Sequence, residues 1–215
     1  MEQFINKLKI ELNKGLPGTS AQYEMAPIFR PKIEIENLTP NDYTLSAVMI
    51  LFCADDNNNL FIPLIERLAY NGVHSAQISF PGGKYEVNDL NTLNTAIREC
   101  KEEIGIRQQI EKVGKLTPLF IPVSGFLVEP YIGFINSINP DFILNIREVK
   151  TILNLNVKNL LDDNFKKEGL IEGSNYKSNV PYFEINGYKV WGATAMMLNE
   201  LKTILKKLNS SLKIK

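Results

Sequence analysis

Glu99, Glu102 and Glu103 stand at i, i+3 and i+4, directly after Arg98. On an α-helix this spacing brings the three carboxylates onto one patch, where each like-charged pair costs roughly 0.2–0.5 kcal/mol. Arg98, four residues before Glu102, recovers only part of that cost. A hard divalent cation would resolve the rest. Carboxylate oxygens at short spacing suit Mg²⁺ or Mn²⁺, and a magnesium ion held by a few carboxylates keeps waters and binds phosphate. Taken alone, the same pattern is also that of an ordinary solvated helix face, so both readings stand at this point.

The helix that would carry the cluster is well marked. Leu93, Ala96, Ile97, Cys100 and Ile104 form an apolar stripe opposite the glutamates, Asp89 is placed to be the N-cap, and Gly105 supplies the stop. Cys100 belongs to the stripe and reads as a packing residue. Upstream, the run Tyr43 to Ala54 reads as a buried strand, Asp55 to Asn59 as a turn, and Leu60 to Arg67 as the hairpin partner. Asn71-Gly72 and Pro81-Gly82-Gly83 bracket a loop-strand segment holding Gln77 to Phe80. Further strands are expected over Leu116 to Ile121 and Leu127 to Ile135. Val149 to Leu161 reads as a strand plus turn, and Thr194 to Leu208 as a terminal helix. Phe4, Ile5, Leu8 and Leu12 recur at helical spacing before Gly15 and Pro17-Gly18, which predicts an N-terminal helix. Strands on both sides of a central helix, with another helix at the end, imply an α/β protein with a mixed sheet covered on two faces.

Composition sets limits on function. At 215 residues, one main domain with an extension is the simplest division. Lys plus Arg balances Asp plus Glu, 24 against 24, so there is no net positive field to hold a nucleic-acid backbone or an anionic membrane. The longest apolar stretch, Ala47 to Ala54, is far short of the roughly 20 residues of a spanning helix. Charge interrupts Met1 to Lys9, so cytoplasmic residence is the expectation. Cys53, Cys100 and the single His74 are too few for a disulfide framework or a Cys/His metal centre. No Gly-x-Ser-x-Gly elbow accompanies His74, which reads as a surface or turn residue.

Gly83, then Asp89 after five residues, then Arg98-Glu99-Cys100-Lys101-Glu102-Glu103-Ile104-Gly105-Ile106 after eight more, closely resembles the Nudix box, G-x5-E-x7-R-E-U-x-E-E-x-G-U. Asp in the place of Glu and a spacer longer by one residue are features of the coenzyme A diphosphatase branch of that family. His74-Ser75-Ala76-Gln77-Ile78-Ser79-Phe80-Pro81-Gly82-Gly83 is similar to the branch's upstream motif, although Gly72 stands where that motif has Arg and Ala76 where it has Gly. Val180-Pro181-Tyr182-Phe183 and Val190-Trp191-Gly192-Ala193-Thr194-Ala195 are also similar to the branch.

The resemblance implies a Nudix fold, an α/β/α sandwich with a mixed central sheet, over residues 41–215, preceded by a helical extension over 1–40. It implies Mg²⁺ or Mn²⁺ held chiefly by Glu99 and Glu103, with Glu102 as a further or water-mediated ligand and the Gly83 carbonyl as a backbone ligand. Arg98 would orient the cluster. Phe80, Gly82 and Gly83 would contact a coenzyme A-like nucleoside diphosphate, cleaved to 3′,5′-ADP and 4′-phosphopantetheine or its acyl form. Phe80 and Trp191 could stack on an adenine, although core packing is the favoured reading of both. For the general base, Glu148 in Arg147-Glu148-Val149 is one candidate beside a plain surface role, Glu129 is a poorer one, and a box glutamate acting on metal-bound water is a third route. Other expectations remain: a diphosphatase for NADH or ADP-ribose, or a Nudix-fold binding module without chemistry, against which the intact Arg98, Glu99, Glu102 and Glu103 argue. The N-terminal helix would either assist a homodimer or cap the domain.

Overall fold

A computed structural model describes residues 1–68, 77–173 and 176–212. Gly72, His74 and Ala76 lie outside the described residues. The chain opens with α1 (Glu2–Asn13) and a short α2 (Thr19–Tyr23), followed by β1 (Thr44–Ala54), β2 (Leu60–Arg67), β3 (Ile78–Ser79) and β4 (Gly82–Lys84). The central helix α3 (Thr92–Ile104) precedes β5 (Glu111–Lys115), β6 (Leu119–Ile121), β7 (Phe126–Ile138), β8 (Val149–Asn156) and the short helix α4 (Val157–Leu161). β9 (Lys166–Gly173), β10 (Tyr176–Ile185) and β11 (Tyr188–Val190) then lead to α5 (Gly192–Leu212).

The main sheet is mixed. β1 runs parallel to β7 and antiparallel to β2 and β4, while β5 and β6 add to β7, and β3 and β8 to β2. Burial on both faces explains the unbroken apolar run of β1. Ala47, Met49, Leu51 and Cys53 pack with Ala96, Cys100 and Ile104 of α3, whereas Ile50 and Phe52 pack with Leu8 of α1 and Met197, Leu201 and Ile204 of α5. This two-residue alternation makes β1 the partition between two cores and the whole an α/β/α sandwich. Each wholly buried Leu, Ile or Met side chain contributes about 1.5–3 kcal/mol to holding the layers together.

Residues before β1 are part of the same body. Ile5, Leu8 and Leu12 of α1 lie in the larger core. Glu200 of α5, wholly buried, accepts from the Gly18 N–H at 3.1 Å, Gln22 Nε2 at 2.9 Å and the Thr117 hydroxyl at 2.7 Å. Asn199 Nδ2 donates to the Ala21 carbonyl at 2.7 Å. These bonds anchor the chain just before residues 27–31.

The structure departs from the sequence reading in three elements. β9, β10 and β11 form a separate three-stranded antiparallel sheet. β9 begins Lys166-Lys167-Glu168 with all three exposed, so it lacks the apolar alternation that marks a half-buried strand. β5, with Val113 as its one buried residue, was hidden for the same reason, and the strand expected over Leu116 to Ile121 begins only at Leu119. The N-cap of α3 is Asn91, whose side chain accepts from the Asn94 N–H at 3.0 Å. Asp89 instead closes a 3-10 turn over Val87–Asp89, accepting from the Glu86 N–H at 2.9 Å.

Candidate active site

Arg98 is the hub of the acidic patch. Its Nε and Nη2 donate to the two carboxylate oxygens of Asp89 at 2.7 and 3.0 Å, and Nη1 donates to Glu99 at 2.8 Å and Glu102 at 3.0 Å. Nη2 also reaches the Lys84 carbonyl at 3.1 Å, which ties α3 to β4. The guanidinium, with the Glu86 N–H and the Thr95 hydroxyl, holds the Asp89 carboxyl well below its ordinary range despite burial. In turn Asp89 and Glu99 hold the Arg98 pKa above its usual value.

The three glutamates differ in environment, which corrects the expectation of one shared exposed face. Glu102 is 54% exposed at its side chain, Glu99 15% and Glu103 1%. Glu103 lies beneath β4, where Arg67 Nη1 donates to one oxygen at 2.7 Å and the Gly82 N–H to the other at 2.8 Å. Burial pushes the Glu103 carboxyl up to about 7 against the opposing pull of Arg67 and Gly82. Burial also raises Glu99, reinforced by Glu102 and opposed by Arg98. Arg67, at the end of β2, further donates to the Gly82 carbonyl at 2.6 Å and the Ser79 hydroxyl at 3.2 Å. A basic residue closing an apolar strand was the available signal for Arg67; its partner lies 36 residues away.

Two glycines permit this approach. A Cβ on Gly82 would run into the β1 backbone at Ala47 and Val48, and one on Gly83 would overlap the Glu99 carboxylate. At the other end of α3, Gly105 adopts φ +69° in a left-handed cap. The carbonyls of Glu103 and Ile104 accept from the N–H groups of Asn145 and Ile143 at 3.0 and 2.9 Å. The loop bearing Glu148 is thereby fastened to the end of α3. Glu148 is itself exposed, and its side chain accepts from Asn145 Nδ2 at 3.3 Å. Glu129 is engaged elsewhere, accepting from the Thr92 and Tyr131 hydroxyls at 3.1 and 2.8 Å.

Among the described residues no three His, Cys, Asp or Glu side chains converge on a common ligand focus. The reason is local: Arg98 stands between Glu99 and Glu102, and Arg67 engages Glu103. The donor chemistry nevertheless fits a hard divalent cation. Four carboxylates, Asp89, Glu99, Glu102 and Glu103, face two guanidiniums, so the patch keeps a formal charge of −2. The two more buried glutamates are those whose carboxyls burial pushes up, and the Gly83 backbone lies directly against Glu99.

A pH-dependent response follows. The folded pKa of Glu103 lies above the unfolded value near 4.5, so its contribution to stability is lost as pH rises from about 4.5 through about 7. A cation at the patch would oppose that loss. Saturating Mg²⁺ or Mn²⁺ is expected to raise Tm by about 5 °C at a hundredfold excess over Kd, and by more at pH 8 than at pH 6. Calorimetry at the two pH values checks this; equal shifts, or none, count against a metal site that includes Glu103.

Gly82 and Gly83 also line a cavity of about 430 Å³. Its walls come from residues 27–31, the β3–β4 region, the β6–β7 turn and the start of α5. Arg67, Gly82, Gly83, Phe80 and Trp191 all line it. Phe80 is wholly buried and belongs to the larger core, so it is both wall and packing residue. Thr194 donates its hydroxyl to the Ile78 carbonyl at 3.0 Å, fixing the start of α5 against this wall. Cys53 and Cys100 are buried in the α3-side core, and burial pushes both thiols up, consistent with packing.

A mixed sheet between helical layers, with the glutamate-bearing helix behind a Gly-Gly strand, defines the Nudix architecture. Residues 43–150, half of the chain, match the NUDIX domain, and the chain belongs to that family. It is 28% identical over 205 residues to "Nudix hydrolase 22, chloroplastic" of Arabidopsis thaliana, covering 92% of this chain and 63% of that protein. It is also 28% identical over 155 residues to "Mitochondrial coenzyme A diphosphatase NUDT8" of Homo sapiens, covering 71% and 65%. The chain thus spans just under two thirds of the length of these relatives. Among solved structures, the MutT protein of Methanosarcina mazei Go1 superposes with a TM-score of 0.51 at 14% identity, covering 79% of this chain and 99% of that one, a likeness of fold. No helix among the described residues is long and apolar enough to cross a membrane.

Proposed function

We propose that the chain is a divalent-metal-dependent hydrolase of a nucleoside diphosphate linked to another group, and that its substrate is coenzyme A or an acyl-CoA. The products are then 3′,5′-ADP and 4′-phosphopantetheine or its acyl form. The observation that carries the reading is the junction at Gly82 and Gly83, two residues that lie against Glu103 and Glu99 and also line the cavity. A diphosphate laid across it meets the carboxylate patch while its two arms occupy the cavity. The choice of coenzyme A is supported by the Phe80-Pro81-Gly82-Gly83 segment, the spacing from Gly82 to Asp89, and the human relative named a coenzyme A diphosphatase.

In the proposed reaction water attacks one phosphorus, a new P–O bond forms, and the bridging P–O bond breaks with its electron pair leaving on the other phosphate. Glu99 and Glu103, with Glu102 and the Gly83 carbonyl, would hold Mg²⁺ or Mn²⁺, which when bound would supply charge neutralisation and lower the pKa of the attacking water. Arg98 fixes Glu99 in place. Arg67 holds Glu103 and presents positive charge to the cavity where the diphosphate lies. Glu148 is our proton acceptor outside the box, on the ground that its loop is bonded to the end of α3.

Gly72, where the branch's upstream motif has arginine, favours a second reading, a diphosphatase for NADH or ADP-ribose. Product analysis separates them. The expected result is that kcat/KM for coenzyme A exceeds that for NADH, ADP-ribose and dephospho-coenzyme A at equal metal and pH, with 3′,5′-ADP released. A higher value for NADH or ADP-ribose overturns the coenzyme A reading and leaves the diphosphatase. No metal-dependent cleavage of any of them points to a binding module.

A further inference from the structure

Among the described residues, the lining of the cavity carries two charged residues, Arg67 and Arg30, and no carboxylate. Arg67 is paired with Glu103 at 2.7 Å. Arg30, from the segment between α2 and β1, has no carboxylate partner among the described residues. Its Nη2 donates to the Phe120 carbonyl, Nε is buried without an acceptor, and the neighbouring polar side chain is the phenol of Tyr23. Burial lowers the Arg30 pKa, as expected of a guanidinium withdrawn from water without a counter-charge. Arg30 is half-buried with its Nε withdrawn from water, and a guanidinium so placed without a counter-charge is costly; an anion entering from the cavity would supply one.

The surrounding structure holds Arg30 in place. Buried Glu200 and Asn199 of α5 anchor the chain at Gly18, Ala21 and Gln22, and the Tyr23 hydroxyl donates to the Pro31 carbonyl at 3.2 Å. The guanidinium is therefore part of a fixed wall, flanked by Phe29 and Pro31, facing the same space as Gly82 and Gly83. On the proposed reading Arg67, and a cation that Glu99 and Glu103 would hold, would meet the charge of the scissile diphosphate. For a second anionic group on the same molecule, Arg30 is the remaining charged residue of the lining among the described residues.

We propose that Arg30 binds the phosphate that lies outside the scissile diphosphate, the 3′-phosphomonoester of a coenzyme A-type substrate. This assignment rests on the coenzyme A reading above. It makes the segment before β1 a determinant of specificity and gives the enzyme a means of separating coenzyme A from dephospho-coenzyme A, which lacks that phosphate.

The test compares kcat/KM for the two compounds in wild type, Arg30→Gln and Arg30→Lys. A charged hydrogen bond to phosphate is worth about tenfold to a hundredfold. Arg30→Gln is expected to lower kcat/KM for coenzyme A by that factor, mainly through KM, and that for dephospho-coenzyme A by less than about threefold. Arg30→Lys should recover part of the difference. Because each ratio is taken within one variant, loss of folded protein cancels. As a second readout, 3′,5′-ADP should inhibit wild type more strongly than 5′-AMP, and Arg30→Gln should equalise them. If wild type discriminates and Arg30→Gln keeps the same ratio, the role of Arg30 is overturned and the coenzyme A reading stands. If wild type prefers NADH or ADP-ribose, the coenzyme A reading itself falls, before Arg30 is varied.

Discussion

Glu103→Gln is expected to give a folded protein whose kcat at saturating Mg²⁺ is about a thousandfold below wild type, a loss of about 4 kcal/mol of transition-state stabilisation. The substitution keeps the shape of the side chain and removes its charge. In the fold the cost is moderate: Arg67 loses its carboxylate partner but is 22% exposed and keeps the Gly82 carbonyl and Ser79 hydroxyl, while removal of the burial penalty on the carboxylate offsets part of the loss. The amide oxygen can still accept from the Gly82 N–H or from Arg67. At the proposed metal site, by contrast, a neutral amide removes a principal anionic ligand where the surrounding protein offers no replacement. Glu102→Gln, at a side chain 54% exposed, is expected to lower kcat by a smaller factor, in keeping with a peripheral ligand. Steady-state kinetics with circular dichroism and a melting curve check both. Wild-type turnover by Glu103→Gln sinks the assignment.

The contrast between these glutamates shows how far the sequence was readable. Helix α3 and its apolar stripe were legible because everything that specifies them lies within a dozen or so consecutive residues: Ala96, Cys100 and Ile104 at helical spacing, and Gly105 as a left-handed cap. The β1–β2 hairpin was legible for the same reason, with its turn at Asp55 to Asn59 between two apolar runs. What periodicity could not supply was the depth of each glutamate. Glu102 and Glu103 are consecutive, yet one faces solvent and the other lies beneath β4, because Gly82 brings the strand close enough for its N–H to reach Glu103. Asp89 was misread because its composition suits an N-cap. The 3-10 turn it closes moves the cap to Asn91 and leaves Asp89 buried against Arg98. Arg30 gave no local signal, since its significance arises only when the chain before β1 folds back over the cavity.

Arg67 offers the second large effect, and its sign depends on pH. With Arg67 replaced by Leu, Glu103 keeps the Gly82 N–H but loses its only cation among the described residues. Its pKa must then rise further, since the coulombic pull of Arg67 is the largest influence now opposing burial. Removing one partner of a buried pair typically costs about 3–5 kcal/mol when the other stays charged. Arg67 is 22% exposed at its side chain, so the lower end of that range is expected. The folded state of Arg67→Leu binds the Glu103 proton more tightly than the unfolded chain does, so the loss should grow as pH rises through and beyond the wild-type value of about 7, be larger at pH 8 than at pH 5.5, and shrink as pH falls toward the unfolded value near 4.5. Adding Glu103→Gln to Arg67→Leu removes the buried charge, and the double variant should be more stable at pH 8 than Arg67→Leu alone. Urea melts of the four proteins at pH 5.5 and pH 8 give the coupling energy directly. A destabilisation that is the same at both pH values, with no recovery in the double variant, would mean that Arg67 acts through packing against Ser79 and Gly82 rather than through its charge.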